Sequence, residues 1–142
     1  MKKIIYEGLG FPVLLIGAHT EIILGEELPI INHADLERRV FEALLWSSHK
    51  LTGAELSFAR GYMRKTQTDL AKDIGLKSHS MISQWEAKGL AATSMDPATE
   101  NGIRTLMANH IGQLQQYALR SLEILKGNFQ ELAPIEVNLE AA

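Results

Sequence analysis

The sequence predicts a mainly α protein with a small N-terminal β element, and three observations lead to this fold class. Short apolar runs separated by glycines fill roughly the first thirty residues, a pattern typical of strands. From Asn32 onward, apolar residues recur at helical spacing between capping signals. The segment 135–139 alternates with period two and indicates one more strand. A length of 142 residues suits one ordinary domain or two very small ones that share a core.

The predicted strands are short and lie between glycines. They cover 4–6, 11–16 and 21–24, with a further short strand at 28–31. This pattern favours a small antiparallel sheet in the first part of the chain. Pro12 is expected at a strand start or on a sheet edge, because proline lacks the N–H that a ladder needs. The segment 135–139 is predicted to return to this sheet.

Two longer helices frame the centre of the chain. Asn32 is expected to cap the first of them. Asp96 followed by Pro97 predicts the start of the second, because proline is preorganised for the first helical position. Gly112 is predicted to kink or end that helix, and a further helix is predicted to stop near Gly127.

The stretch between these helices carries two capping boxes, in which a Thr hydroxyl and a carboxylate each accept a backbone N–H. They are Thr52–Glu55 and Thr66–Asp69. Gly75 is expected to stop the second short helix, where a left-handed residue is needed. Ser78 is predicted to cap a third short helix. The buried side of that helix is predicted to consist of Met81, Ile82 and Trp85.

Charge is unevenly distributed along the chain. The net charge is −3, but residues 50–90 carry seven Lys or Arg against four Asp or Glu, a net +3. The segments 1–49 and 91–142 each carry a net −3. A basic centre between acidic flanks indicates a localised site for a polyanion, although a solvated helical surface also fits these charges.

Composition excludes several classes of function. Without cysteine, the chain has no disulfide, thiolate metal site or cysteine nucleophile. The five histidines lack metal-binding spacing, and no serine lies in a nucleophile elbow, so we expect no metal, no cofactor and no enzymatic activity. We find no signal peptide and no membrane-spanning run, so a cytoplasmic protein is expected.

Two short helices joined by a tight glycine-containing turn occupy the centre of the chain, which is the arrangement of a helix-turn-helix. Gln precedes Leu-Ala in the second helix, Gly75 follows that helix, and a Trp-Glu pair ends the third. Over about residues 51–108 the chain resembles the lambda-repressor/Cro-like (Xre-type) family of DNA-binding regulators. The resemblance implies a five-helix lambda-repressor-like domain. In one departure, the interval from Gly75 to Trp85 is one residue longer than in the family.

This resemblance and the side-chain chemistry together give roles to the polar residues of the unit. The residues expected to read bases are His79, Ser80, Ser83 and Gln84. The residues expected to contact DNA phosphates are Gln67, Arg64, Lys65, Lys77 and Lys88. Arg60 and Glu86 correspond to a pair that forms a salt bridge in relatives, where it joins the first helix to the end of the third. Here that pair is expected to fix the tilt of the reading helix.

A wider likeness extends beyond this unit. The segments 10–13 (Gly-Phe-Pro-Val) and 95–100 (Met-Asp-Pro-Ala-Thr-Glu) resemble parts of MqsA-type antitoxin regulators. In that group a small N-terminal domain, often zinc-binding through cysteines, precedes an Xre-type domain. This chain has no such cysteines, so its N-terminal sheet is expected to depend on its own core.

The sequence therefore predicts a transcriptional regulator, a repressor, that binds a palindromic operator in double-stranded DNA as a homodimer. The expected division is an N-terminal sheet plus helix (1–48), the DNA-binding domain (49–112) and a C-terminal helix and strand (113–142). Either the sheet with helix 33–46 or the C-terminal helix with strand 135–139 is expected to supply the dimer contact. Two alternatives remain: an antitoxin that binds a toxin protein and represses its own operon, and a protein-interaction scaffold.

Overall fold

The computed structural model describes residues 2–139, which form five strands and six helices. The strands are β1 (Lys3–Tyr6), β2 (Val13–Ile16), β3 (Thr20–Ile23), β4 (Glu26–Pro29) and β5 (Ile135–Asn138). The helices are α1 (His33–Trp46), α2 (Gly53–Tyr62), α3 (Gln67–Asp73), α4 (Ser80–Glu86), α5 (Pro97–His110) and α6 (Leu114–Leu125). A mainly α protein with a small β element is confirmed.

β2 is the centre of a three-stranded sheet that brings together distant parts of the chain. It pairs antiparallel with β1 and parallel with β5, and Val13 lies opposite Ile135. The strand predicted near residue 135 therefore does return to the N-terminal strands. The prediction of a single antiparallel sheet is wrong in two respects. The β2–β5 pair is parallel, and β3 and β4 form a separate hairpin. Parallel strands need a long crossover, which the helices provide.

The β3–β4 hairpin lies at the surface with most of its side chains uncovered. Leu24 and Gly25 form its two-residue turn, and both have positive φ, 53° and 83°. Leu24 is 100% exposed and Ile22 is 77% exposed. Lys2 forms an ion pair with Glu27 of β4. A two-stranded hairpin gains little stability by itself in water, so this element depends on its attachment to the rest of the chain.

Arg104 joins α5 to the end of α1 from inside the core. Its guanidinium donates at 2.7–3.0 Å to the backbone carbonyls of Leu44, Leu45, Ser47 and His49. Its Nε donates to Glu100 Oε2 at 2.9 Å, one helical turn earlier. The last carbonyls of a helix have no partner within the helix, and here a buried cation satisfies them. Sequence reasoning did not identify this pair.

One hydrophobic core extends from Phe11 before β2 to Val137 in β5 and includes buried residues of all six helices. The three segments predicted as 1–48, 49–112 and 113–142 all contribute to it. Within residues 2–139, no helix combines the length and the apolar character that crossing a bilayer requires.

Candidate nucleic-acid interface

α3 begins at a capping box and ends at a left-handed glycine. Thr66 Oγ1 accepts from the Asp69 N–H at 3.0 Å, and the Asp69 carboxylate accepts from the Thr66 N–H at 3.1 Å. The hydrogen bonds from the Thr66 backbone and side chain lower the pKa of Asp69, because they favour its charged form. Gly75 has φ 80°, which lets the chain turn towards α4.

α4 has a buried side and an exposed side. Ile82 and Trp85 are buried where α4 packs against α2 and α3. The exposed side carries the four residues predicted to read bases, His79, Ser80, Ser83 and Gln84. At 3.6 residues per turn, the last three share one side of the helix, and His79 is its N-cap. This side offers hydroxyl, amide and imidazole groups to solvent, which are the groups that bind base edges.

Two expectations for α4 are wrong. Met81 is predicted on the buried side but is 40% exposed, because this seven-residue helix directs only two residues into the core. Ser78 is predicted as the helix cap, but the N-cap is His79, which makes no side-chain capping bond. Ser78 Oγ instead accepts from the Ser80 N–H at 3.3 Å within the turn. α4 therefore begins at Ser80, one residue later than predicted.

An ion pair holds the C-terminal end of α4 against α2. Arg60 Nε and Nη2 donate to the two Glu86 carboxylate oxygens at 2.6 and 3.0 Å. This hydrogen bonding raises the pKa of Arg60 above its ordinary value. Arg60 Nη1 also donates to the Lys65 carbonyl at 2.9 Å. A two-pronged contact restricts orientation as well as distance, so the pair restrains the direction of α4 relative to α2.

Gly53, the first residue of α2, lies directly against the backbone of the C-terminal end of α4. A Cβ there would lie 2.5 Å from the Trp85 carbonyl oxygen and 2.7 Å from that of Glu86. The neighbouring Ala54 N–H donates to the Gly89 carbonyl at 2.8 Å, so the backbones are joined directly. Sequence reasoning missed Gly53. Its one local signal is a glycine directly after a Thr cap, where a residue with a better helix propensity is usual.

The predicted phosphate contacts fall into two groups. Gln67 Nε2 donates to Glu86 Oε1 at 3.2 Å, and Lys65 Nζ lies 2.7 Å from Asp73 Oδ2, so both side chains already have partners within the chain. The second group is exposed and forms no ion pair within residues 2–139. It consists of Arg64, Lys77 and Lys88. Of the predicted phosphate contacts, these three cations are the ones available to a polyanion.

The histidines form no metal centre in the part of the chain that the structure describes. His49 Nε2 lies 2.9 Å from Glu55 Oε1, and both side chains are buried. A pocket of about 160 Å³ opens beside them, lined in part by Phe11, Leu90 and Pro134. Within residues 2–139, no group of three His, Asp or Glu side chains is placed to hold a metal ion.

Comparisons of this chain with protein-family models, with curated proteins and with solved structures find no match.

Proposed function

We propose that this chain is a sequence-specific DNA-binding regulator, a repressor that acts as a homodimer on a palindromic operator. The observation that carries the proposal is the exposed polar side of α4, on a helix whose opposite side is buried and whose end is bound to α2. We also propose that the helices belong to a lambda-repressor-like domain. Four of them, α2 to α5, lie within 49–112, and α6 begins at Leu114.

Side-chain chemistry supports base reading by α4. An amide such as that of Gln84 can bind adenine through two hydrogen bonds, and the two serines can donate to or accept from several bases. The serine side chains are short, so they lose little conformational entropy when they become ordered on DNA. The buried contacts of Ile82 and Trp85 restrict the rotation of the helix about its own axis. A fixed helix with adaptable polar groups suits readout in the major groove.

Charge supports contact with the sugar–phosphate backbone. The segment 50–90 has a net charge of +3 within a chain of net −3. Three of its exposed cations, Arg64, Lys77 and Lys88, flank α3 and α4 in the sequence. Cations that neutralise phosphates release counterions, so binding through them weakens as salt increases.

A dimer is part of the proposal because one helix-turn-helix contacts few base pairs. Two copies related by a two-fold axis place their reading helices about 34 Å apart, in successive major grooves. The doubled contact supplies the discrimination that a genome demands.

The test is selection of bound sites from random double-stranded DNA, followed by fluorescence anisotropy on the selected sequence. We expect a palindrome whose half-sites are spaced by about one helical turn. Gln84→Ala should weaken specific binding roughly tenfold to a hundredfold. Gln116→Ala is the matched control, because it removes an equally exposed amide from α6 and should leave binding unchanged. Lys77→Gln should lower affinity for all sequences and reduce the salt slope by about one.

Two outcomes contradict the proposal. One is that the selection enriches no sequence. The other is binding that responds neither to salt nor to Gln84→Ala, which favours the protein-interaction scaffold instead.

The β3–β4 hairpin favours a second candidate, a partner-binding antitoxin that also regulates its own operon. Leu24 at the hairpin tip is fully exposed in a left-handed conformation, in which Asn or Gly is more stable. Leu24→Asn therefore keeps the turn and removes the apolar side chain. Co-purification with the product of an adjacent gene, lost in this variant, supports the candidate. Co-purification that the variant leaves intact contradicts a role for the hairpin.

A further inference from the structure

α6 carries a stripe of apolar side chains that the described residues leave uncovered. The α6 stripe consists of Leu114, Ala118, Leu119, Leu122 and Leu125, which helical spacing places on one side of the helix. Leu119 is 87% exposed and Leu122 is 61% exposed. The other side of α6 is buried through Tyr117 and Ile124. α6 therefore has two apolar sides, and within residues 2–139 only one of them is packed.

The charges around the α6 stripe are compatible with a second copy of the chain. No member of the stripe is charged, and the nearby Glu123 and Lys126 approach each other at 4.0 Å. Another exposed apolar element, the β3–β4 hairpin, carries the carboxylates of Glu21 and Glu26 beside the Lys2–Glu27 ion pair. Two copies of that acidic hairpin would repel each other. Self-association therefore suits α6 and not the hairpin.

We propose that the α6 stripe is the contact between two copies of this chain, with the two α6 helices antiparallel across a two-fold axis. A two-fold axis brings the same surface from each copy into contact, so a stripe without charge is complementary to itself. The antiparallel arrangement places Leu119 and Leu122 at the centre and lets Leu114 of each copy meet Leu125 of the other. It also aligns opposite helix dipoles, whereas a parallel pair would bring like charges together near Glu123.

The size of the contact sets the expected affinity. α6 has 12 residues and is about 18 Å long. Such a contact is smaller than that of a permanent homodimer, which typically buries roughly 2,000 Å² or more. We therefore expect a reversible dimer with a Kd of about micromolar. This inference deepens the proposed function and relies on it for its role, because DNA with two half-sites would stabilise such a dimer.

The test is sedimentation velocity of the full chain, without DNA, over a concentration range that spans the micromolar region. The wild-type chain is expected to change from monomer to dimer within this range. Leu119→Glu places two carboxylates near the axis and should raise the dissociation constant at least tenfold. Its helix content should stay unchanged, and so should its Tm at concentrations where the wild type is monomeric, because Leu119 is exposed and Glu favours helices. Ile22→Glu is the matched control on the hairpin and should dimerise like the wild type.

Covalent capture provides a second measurement in the same protein. The chain has no cysteine, so Leu122→Cys introduces a single thiol, which a short bis-maleimide should link between two copies. Ile22→Cys should give no covalent dimer under the same treatment.

The inference is wrong if the wild type stays monomeric throughout, or if Ile22→Glu abolishes the dimer while Leu119→Glu does not. A dimer sensitive to Leu119→Glu in a chain that binds no DNA supports the α6 contact and contradicts the DNA-binding proposal alone. DNA binding by a chain that never dimerises supports binding to DNA but contradicts both the α6 contact and the homodimer. The two proposals can therefore fail separately.

Discussion

Arg60–Glu86 and Arg104–Glu100 are two ion pairs of the same chemistry in different surroundings. The first joins α2 to α4, and its side chains are 20% and 10% exposed. The second lies within α5, and its side chains are both 0% exposed. Near the surface, water can solvate a charge that loses its partner. In the core it cannot, so an unpaired charge there carries the whole cost of desolvation.

The comparison shows that the same combination of residue types, Arg with Glu, can have different consequences at two places in the chain. Arg60–Glu86 restrains the direction of a helix whose outer side is polar, so its main consequence is for what α4 can bind. Arg104–Glu100 caps α1 and completes the core, so its main consequence is for stability. The predictions below separate these two consequences.

The largest effect is expected from Arg104→Met, which leaves Glu100 buried without its cation and the carbonyls at the end of α1 without donors. We expect a loss of about 3–5 kcal/mol in the free energy of unfolding, measured by urea denaturation. The double variant Arg104→Met, Glu100→Gln removes both charges and should recover part of this loss. Equal stability of the single and double variants would show that the buried carboxylate is not the source of the cost.

The next effect concerns the backbone contact beside Arg60–Glu86. Gly53→Ala forces a Cβ to within 2.5 Å of the Trp85 carbonyl, so α4 must shift, and we expect a loss of about 1–3 kcal/mol in the free energy of unfolding. Gly61→Ala is the control in the same helix, because no atom lies within 4 Å of its added Cβ. It should stabilise by about 0.5–1 kcal/mol, since alanine favours helix over glycine. Thermal unfolding of both variants measures the difference.

A smaller loss of stability, with a larger loss of DNA affinity, is expected from Arg60→Ala. The pair is partly exposed, so we expect a loss of about 1–2 kcal/mol in the free energy of unfolding. A double-mutant cycle with Glu86→Gln measures the coupling between the two side chains. Fluorescence anisotropy on the selected DNA then shows whether affinity falls further than in a Gly61→Ala control. If stability and affinity change in the same proportion, the pair has no separate effect on the direction of α4.

The smallest effect is expected from acid, through two helix-capping carboxylates. Hydrogen bonds from Thr66 lower the pKa of Asp69, and hydrogen bonds from Thr99 lower that of Asp96, both below the usual 3.8. The unfolded chain therefore takes up these protons first, so the stability present above that pH is lost as the pH falls through the lower folded values. Asp96→Asn keeps the acceptor without the titration. Urea denaturation below about pH 4 should show a shallower loss in this variant.

The local features of the fold were predictable, because their physical causes lie within a few residues. The capping box at Thr66, the cap at Asp96 and the left-handed glycine at position 75 all form in the structure. Helical spacing also predicted that Ser80, Ser83 and Gln84 are exposed, but it wrongly placed Met81 on the buried side of α4.

The features that escaped prediction depend on residues far apart in the chain. The parallel β2–β5 pair joins strands separated by all six helices, and no sequence period shows its direction. Arg104 reaches carbonyls more than fifty residues away. Gly53 is required by the close approach of α4, and Arg64 adopts φ 57° in a turn where glycine or asparagine is usual. Periodicity and caps describe neighbours along the chain and carry no information on these contacts.

The β2–β5 pair has a consequence for how the chain folds during translation. β2 leaves the ribosome early, whereas β5 is synthesised only after α6. Until then one edge of β2 presents unpaired N–H and C=O groups, which are attractive to strands of other nascent chains. The apolar residues of β2 also complete their packing only when β5 has paired with β2. The three-stranded sheet can therefore be completed only after β5 has left the exit tunnel.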